Sequence, residues 1–243
     1  MNSGAVIIPA RYESTRFPGK PLADIVGKPM IQHVYELCVQ AVGGDRAFVA
    51  TDNKNIKTVV EAFGGRVVMT SSSCLTGTDR IAEANDELGF DFVINVQGDE
   101  PLIKPSAIKK VFDMMQRDSS HVLNCYCKIS PGEADSATVP KVVVSESGKL
   151  LYMSRGAVPF DKSGLGRSRF KQVCIYGFHR DHLRAFKAYQ TKSTNEVFED
   201  IEILRFLDLD FYVQMLEVEA DSIAVDTPQD LERVVRVYEA KML

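Results

Sequence analysis

The 243-residue chain has few of the features that would place it quickly. Its five cysteines are odd in number and show no CxxC spacing. They read as reduced, mostly buried thiols of a cytoplasmic protein, with Cys125 and Cys127 sharing one face of a strand-like run. No apolar run approaches 18 residues, so no membrane-spanning helix is expected. The start, MNSGAVIIPARYES, has no basic segment before its apolar run and no small-residue cleavage site, so no secretory signal is expected. The net charge is only −4, with both signs interspersed. Neither nucleic acid nor a membrane surface is therefore an expected partner. The first strand is not followed by GxGxxG, which removes a dehydrogenase reading, nor by GxxxxGK[ST], which removes a Walker A loop. There is no internal repeat and no low-complexity tract.

What is present is an alternation of short apolar runs and helical spacings. Strands are expected at 5–10, 46–51, 66–70 and 92–97, with helices at 29–42, 53–64 and 76–88 between them. That rhythm with short loops predicts an α/β chain with a doubly wound, mostly parallel sheet over at least the first half. Past residue 118 the pattern turns strand-rich, with runs at 121–129, 141–145, 149–154 and 171–178. These predict an antiparallel extension of the same sheet. The polar, glycine-bearing stretch 161–169 reads as a mobile loop. Helices are expected again at 180–190 and 198–209, then a strand at 212–219 and a closing helix at 227–242. Thr227, Pro228 and Asp230 make a capping-box-like start for that last helix. At this length the expectation is one domain over 1–243. Its parts are a first half of alternating strands and helices (1–118), a strand-rich part (119–220) and a closing segment (221–243).

Three stretches carry chemistry. IIPARYESTRFPGKPL (7–22) puts Arg11, Arg16 and Lys20 within ten residues of a buried strand. The first βα loop lies at the carboxyl end of its strand, where ligands bind in such sheets. Cations so close together repel unless an anion is expected, and phosphate oxygens suit them. VINVQGDEP (93–101) sets Asp99 and Glu100 after another buried strand, and IAVDTPQDLE (223–232) sets Asp226 before a helix. A turn acid or helix cap accounts for either carboxylate alone. Together with a cationic loop they make the parts of metal-assisted nucleotidyl transfer.

The motifs IIPARYESTRFPGKPLADIVGKPMIQHVYE, VATD, TGTDR, NVQGDEP, LYMSRGAVPF, IYGF and VDTPQDLERV, in order from about residue 4 to 238, resemble the 3-deoxy-manno-octulosonate (Kdo) cytidylyltransferase family, the CMP-Kdo synthetases. The resemblance implies a nucleotide-diphospho-sugar transferase-like variant of the Rossmann fold. It implies that CTP and an acidic sugar, Kdo or an analogue, react with Mg²⁺ to give a CMP-sugar and pyrophosphate for lipopolysaccharide or capsule synthesis. Arg11, Arg16 and Lys20 would contact the triphosphate, with Ala10, Thr76, Gly77 and Arg80 helping to hold the nucleotide. Asp99 and Asp226 would carry Mg²⁺, and Lys20, Arg11, Asp99 and Asp226 form the catalytic set. Gln97, Arg155, Gln172, Tyr176 and Glu202 would line the sugar site, and a homodimer is implied.

The chain departs from the family pattern mainly on the sugar side. A histidine position is held by Gln172, a glycine by Cys174 and a glutamine by Ile203; the approach to Asp226 reads DSIAVDTP, and TGTDR replaces the usual SGTDR or SGTER. Those changes leave room for a variant acid, such as 8-amino-Kdo or a sialate-like sugar. A non-catalytic CTP-binding module is a third reading, though it would be expected to lose Lys20 or a metal carboxylate. His179 and His182, at i, i+3, read as exposed helix histidines rather than metal ligands, and His33 as structural.

Overall fold

The computed structural model describes residues 3–13, 17–130, 132–162, 164, 169–219 and 223–242. Four parallel strands lead: β1 (Gly4–Ala10), β4 (Ala47–Thr51), β5 (Val67–Met69) and β6 (Phe92–Val96). Between β1 and β4 lie a hairpin of two-residue strands, β2 (Asp24–Ile25) and β3 (Lys28–Pro29), and helix α1 (Met30–Val42). Helices α2 (Lys54–Ala62) and α3 (Gly77–Leu88) make the next crossovers, and α4 (Pro105–Arg117) leads to β7 (Val122–Lys128). Then come β8 (Lys141–Val144), β9 (Leu150–Ser154), β10 (Phe170–His179), α5 (Arg180–Ala188), α6 (Thr194–Glu199), α7 (Ile203–Asp208), β11 (Val213–Glu217) and α8 (Pro228–Met242). The sheet runs β11-β7-β10-β6-β1-β4-β5, with β8 and β9 joined to it through β10. β10 is antiparallel to both β6 and β7, whereas β11 returns parallel to β7. The expected parallel half and antiparallel extension are thus one continuous sheet.

Alternation along the strands decides which helices go where. Val6, Ile8, Ile94 and Val96 face a core filled by α1, α2 and α4. Ala5, Ile7, Val93 and Phe178 face the opposite core, filled by α3, α5 and α7. Period-2 side chains buried on both faces require a helix layer on each.

Two assignments change. Helix α4 was not assigned from the sequence, although Pro105 stands in its first turn and Ala107, Ile108, Val111, Phe112 and Met115 form its buried stripe. Gly177 lets it lie close on β10: a Cβ there would come 2.8 Å from Met115. The expected helix 198–209 is two short helices. Asp200 adopts a left-handed conformation (φ 50°) and ends α6, and α7 restarts at Ile203. The break turns the carboxylate of Glu202 toward the start of α3, which a continuous helix would not do. Of the expected loop 161–169, residues 163 and 165–168 lie outside the described residues.

The reading of His179, which ends β10, and of His182, in α5, is corrected as well. His182 is buried, and its Nδ1 accepts the His179 backbone N–H at 3.2 Å while His179 Nδ1 accepts from Asp181 N at 3.3 Å. They form a capping box. Burial above all, with His179 beside it, lowers the His182 pKa from 6.5 to about 4. The unfolded chain therefore binds more protons in that window. Stability from the neutral ring is complete above pH 6.5 and is lost as pH falls toward 4. Urea titrations from pH 7 to 4 should show a shallower loss for His182→Gln than for the unaltered protein; parallel curves would exclude this linkage.

Candidate active site

The opening loop is built to return on itself. Gly19 takes φ 71°, a conformation that costs an L-residue with a Cβ, and its N–H donates to Tyr12 O at 2.9 Å. Lys20 follows as the first residue of a short 3-10 turn and projects back across the ends of the strands. Its Nζ lies 2.6 Å from Asp99 Oδ2 and 3.5 Å from Asp226 Oδ1. Asp99 follows β6. Asp226 is brought alongside by the backbone, because Val225 N donates to Asp99 O at 2.9 Å. α8 then begins with Thr227 rather than Asp226 as its cap: Asp230 N donates to Thr227 Oγ1, and Thr227 N to Asp230 Oδ2. α8 is held by Val225 and Val234 packed on Ile25 and Met30, and by the Tyr238 hydroxyl on Pro101 O.

A cavity of about 330 Å³ opens beside Lys20, lined by Ala10, Arg11, Lys20, Thr76, Gly77 and Arg80 among others. All the sequence-predicted nucleotide residues therefore meet there except Arg16, which lies outside the described residues. Thr76 caps α3, accepting from Asp79 N at 3.1 Å. Arg80 is buried and fixed by Thr70 Oγ1 (2.6 Å) and Asp52 Oδ2 (3.0 Å).

A second cavity of about 360 Å³ adjoins the first, and Gln97, Asp99, Arg155, Asp200, Glu202 and Asp226 line both. Gln172, Cys174 and Tyr176 of β10 line the second alone. Each predicted sugar-side residue is thus at this cavity, and Glu202 and Arg155 are heavily engaged with the protein. Glu202 accepts from Gly77 N (3.0 Å), Thr78 N (2.9 Å) and Thr78 Oγ1 (2.6 Å), so it caps α3. Burial raises its pKa, against the lowering effect of those bonds. Arg155 spreads its guanidinium over backbone carbonyls of Glu199, Ala137, Thr138 and Asp200. It holds two cavity walls together. Burial, followed by the nearby Glu100 and Asp99, pushes the Cys174 thiol well above its ordinary value. Burial likewise keeps Tyr176 a neutral phenol.

Sequence reasoning missed Lys192 and Asp200 at the first cavity, where Lys192 Nζ meets Asp200 Oδ1 at 2.7 Å. The Lys192 hydrogen bond, opposed by burial and aided by Arg155 and Arg11, holds the Asp200 carboxyl below its usual range. No spacing signals either residue. Asn124 was missed too; a lone amide within the buried run HVLNCYCKI was the available sign.

The sequence model of the family described as Cytidylyltransferase matches residues 5–236. The chain belongs to the cytidylyltransferase family. As such it is a nucleotidyltransferase. It is 40% identical over 235 residues to the 3-deoxy-manno-octulosonate cytidylyltransferase of Escherichia coli, covering 96% of this chain and 95% of that one. It is 41% identical over 234 residues to the 8-amino-3,8-dideoxy-manno-octulosonate cytidylyltransferase of Shewanella oneidensis, covering 94% and 95%. A solved CMP:2-keto-3-deoxy-manno-octonic acid synthetase complexed with CTP matches with a TM-score of 0.91 at 38% identity, covering 98% of this chain and 99% of that one.

Proposed function

We propose that this cytidylyltransferase couples CTP to Kdo, or to its 8-amino analogue, releasing pyrophosphate and a CMP-sugar. The observation that carries the reading is the pair of adjoining cavities, which share a wall where Asp99, Asp226 and Lys20 converge. A nucleotide in the first and a sugar acid in the second would meet at that wall. The anomeric hydroxyl would attack the α-phosphorus, and the bond to pyrophosphate would break. Lys20 and Arg11, with Arg16, would neutralise phosphate charge that otherwise repels the incoming oxygen. The fixed frame of Thr76, Gly77 and Arg80 would align the nucleotide. Gln97, Arg155, Gln172, Tyr176 and Glu202 would shape the sugar side.

The donor set suits Mg²⁺. Asp99 and Asp226 are hard oxygen donors, partly exposed and already gathered round one cation, Lys20 Nζ. Mg²⁺ is commonly held by one or two carboxylates together with substrate phosphates and water. Bound between Asp99 and Asp226, it would add charge neutralisation and make the sugar hydroxyl easier to deprotonate.

Exposed Leu151, Phe160, Val197 and Phe198 in the strand-rich half support a homodimer, since large apolar side chains there would be covered by a second copy. Sedimentation equilibrium should give twice the chain mass, and Phe160→Glu with Phe198→Glu should halve it; a monomer before substitution would refute the dimer. None of the five cysteines is disulfide-bonded, and no helix among the described residues is long and apolar enough to cross a membrane. Both fit a place in the cytoplasm, supplying activated sugar for lipopolysaccharide or capsule.

The test is pyrophosphate release with CTP and Mg²⁺ across Kdo, 8-amino-Kdo, a sialic acid and no sugar. Release with Kdo or its 8-amino analogue is expected. Silence with every acid, while CTP still binds, would favour the non-catalytic module.

A further inference from the structure

The strand-built wall of the second cavity contains an amide whose orientation is settled by its neighbours. Pairing of β10 with β7 shifts register between Val173 and Tyr176, which leaves backbone carbonyls out of the ladder. Asn124, fully buried in β7, fills that irregularity by donating Nδ2 to Val173 O (3.2 Å) and Ile175 O (2.9 Å). Reversing this amide would set its oxygen against two carbonyl oxygens, so the orientation is determined. Asn124 Oδ1 is then purely an acceptor, and it receives Gln172 Nε2 at 3.0 Å. The same nitrogen reaches the Tyr176 hydroxyl at 3.2 Å. An amide nitrogen has two hydrogens, and both are now engaged. Reversing Gln172 would oppose two acceptors at Asn124. Oε1 is therefore the amide atom of half-buried Gln172 to which no donor among the described residues is bonded, and Gln172 lines the cavity.

We infer that Gln172 is a specificity-determining residue of the sugar-acid site, presenting an acceptor without a donor and so selecting substrates that bring a hydroxyl or ammonium hydrogen to that point. The inference rests on the reading of this cavity as the sugar site. A substrate with that position deoxygenated or O-methylated leaves a desolvated carbonyl unpaired, which costs roughly 10- to 100-fold in kcat/KM. An ammonium there makes a charge-assisted bond and is accepted at least as well as a hydroxyl. A donor-only contact would give the opposite preference, tolerating the O-methyl ether.

The experiment compares the unaltered protein with Gln172→Leu and Gln172→His. Pyrophosphate release is read with Kdo, its single-position deoxy and O-methyl analogues and 8-amino-Kdo, and CTP affinity is measured by calorimetry. For one sugar position the unaltered protein should reject both the deoxy and the O-methyl analogue. Gln172→Leu should lose a similar factor on Kdo, stop distinguishing those analogues and bind CTP normally. Gln172→His, able to donate or accept, should tolerate the O-methyl analogue better than the unaltered protein does, and this comparison carries the test if the leucine variant does not fold. Unchanged discrimination in the variants, with normal turnover, would overturn the inference while leaving the proposed function intact. Absence of turnover by the unaltered protein with every acid would overturn both.

Discussion

Lys20→Met should lower kcat/KM for CTP by roughly 10²- to 10³-fold, the loss expected when one preorganised charge donor is removed from a phosphoryl-transfer site. The same substitution should strengthen Mn²⁺ binding by the nucleotide-free protein. Both effects come from one geometry. The ammonium sits 2.6 Å from Asp99 Oδ2 and 3.5 Å from Asp226 Oδ1, so without nucleotide it is already the counter-ion of both carboxylates. A divalent cation must displace it or share the carboxylates with it, and methionine removes that competitor while keeping similar bulk. Lys20→Arg should not rescue the rate, because a planar fork does not fit a point-charge position between two acids. Activity assays and Mn²⁺ titrations followed by electron paramagnetic resonance read the two arms separately. Unaltered turnover, or Mn²⁺ binding that weakens, would show that Lys20 does not stand in for the metal here.

Arg205→Met should be strongly destabilising. Arg205 is fully buried and grips Glu196 in a fork, with Nε–Oε2 at 2.6 Å and Nη2–Oε1 at 2.8 Å. Its Nη1 reaches Asp79 Oδ1 at 3.2 Å, and its guanidinium carbon lies 3.7 Å from the Phe186 ring centroid. Glu196 is itself fully buried. Removing the cation strands a carboxylate, which costs about 3–5 kcal/mol. For a chain of this size, that corresponds to a fall in Tm of roughly 6–20 °C. Asp79 also receives the Thr76 hydroxyl at the start of α3, so CTP affinity should drop together with stability. The double variant Arg205→Met, Glu196→Met should recover part of the loss, since Glu196 is no longer stranded while Asp79 keeps the Thr76 hydroxyl as a partner. Calorimetric melts of the two variants check this; equal melting temperatures would mean the ion pair is not what holds α6 and α7 on α3.

The parallel half was readable because its strands are short, mainly apolar and separated by amphipathic helices, signals that need only neighbours in sequence. The positions of Lys20 and Asp99 were also readable, since they follow β1 and β6 and the carboxyl end of a parallel strand is a ligand position; Asp226, expected at a strand end, lies outside any strand and is brought in by Val225 N on Asp99 O. The resemblance supplied the sugar-side residues, with Gln97, Arg155 and Tyr176 inside its ordered motifs and Gln172 and Glu202 in the neighbouring segments KQVC and IEILR. The structure brings them to one cavity, but with engagements that no motif records: Glu202 caps α3, and Arg155 ties residues 137–138 to 199–200.

Local sequence by itself determined the strand–helix alternation of the first half, the cationic loop, and the capping box that starts α8. Tertiary structure decided the rest. Whether 198–209 is one helix or two depends on Glu202 and Arg155 finding partners more than forty residues away, and those contacts outweigh helix propensity at Asp200. Which way the amide of Gln172 faces depends on carbonyls released by a register shift against β7. Period and composition carry no information about an atom's partner across a sheet, and it is the partner that fixes what each side chain can offer a ligand.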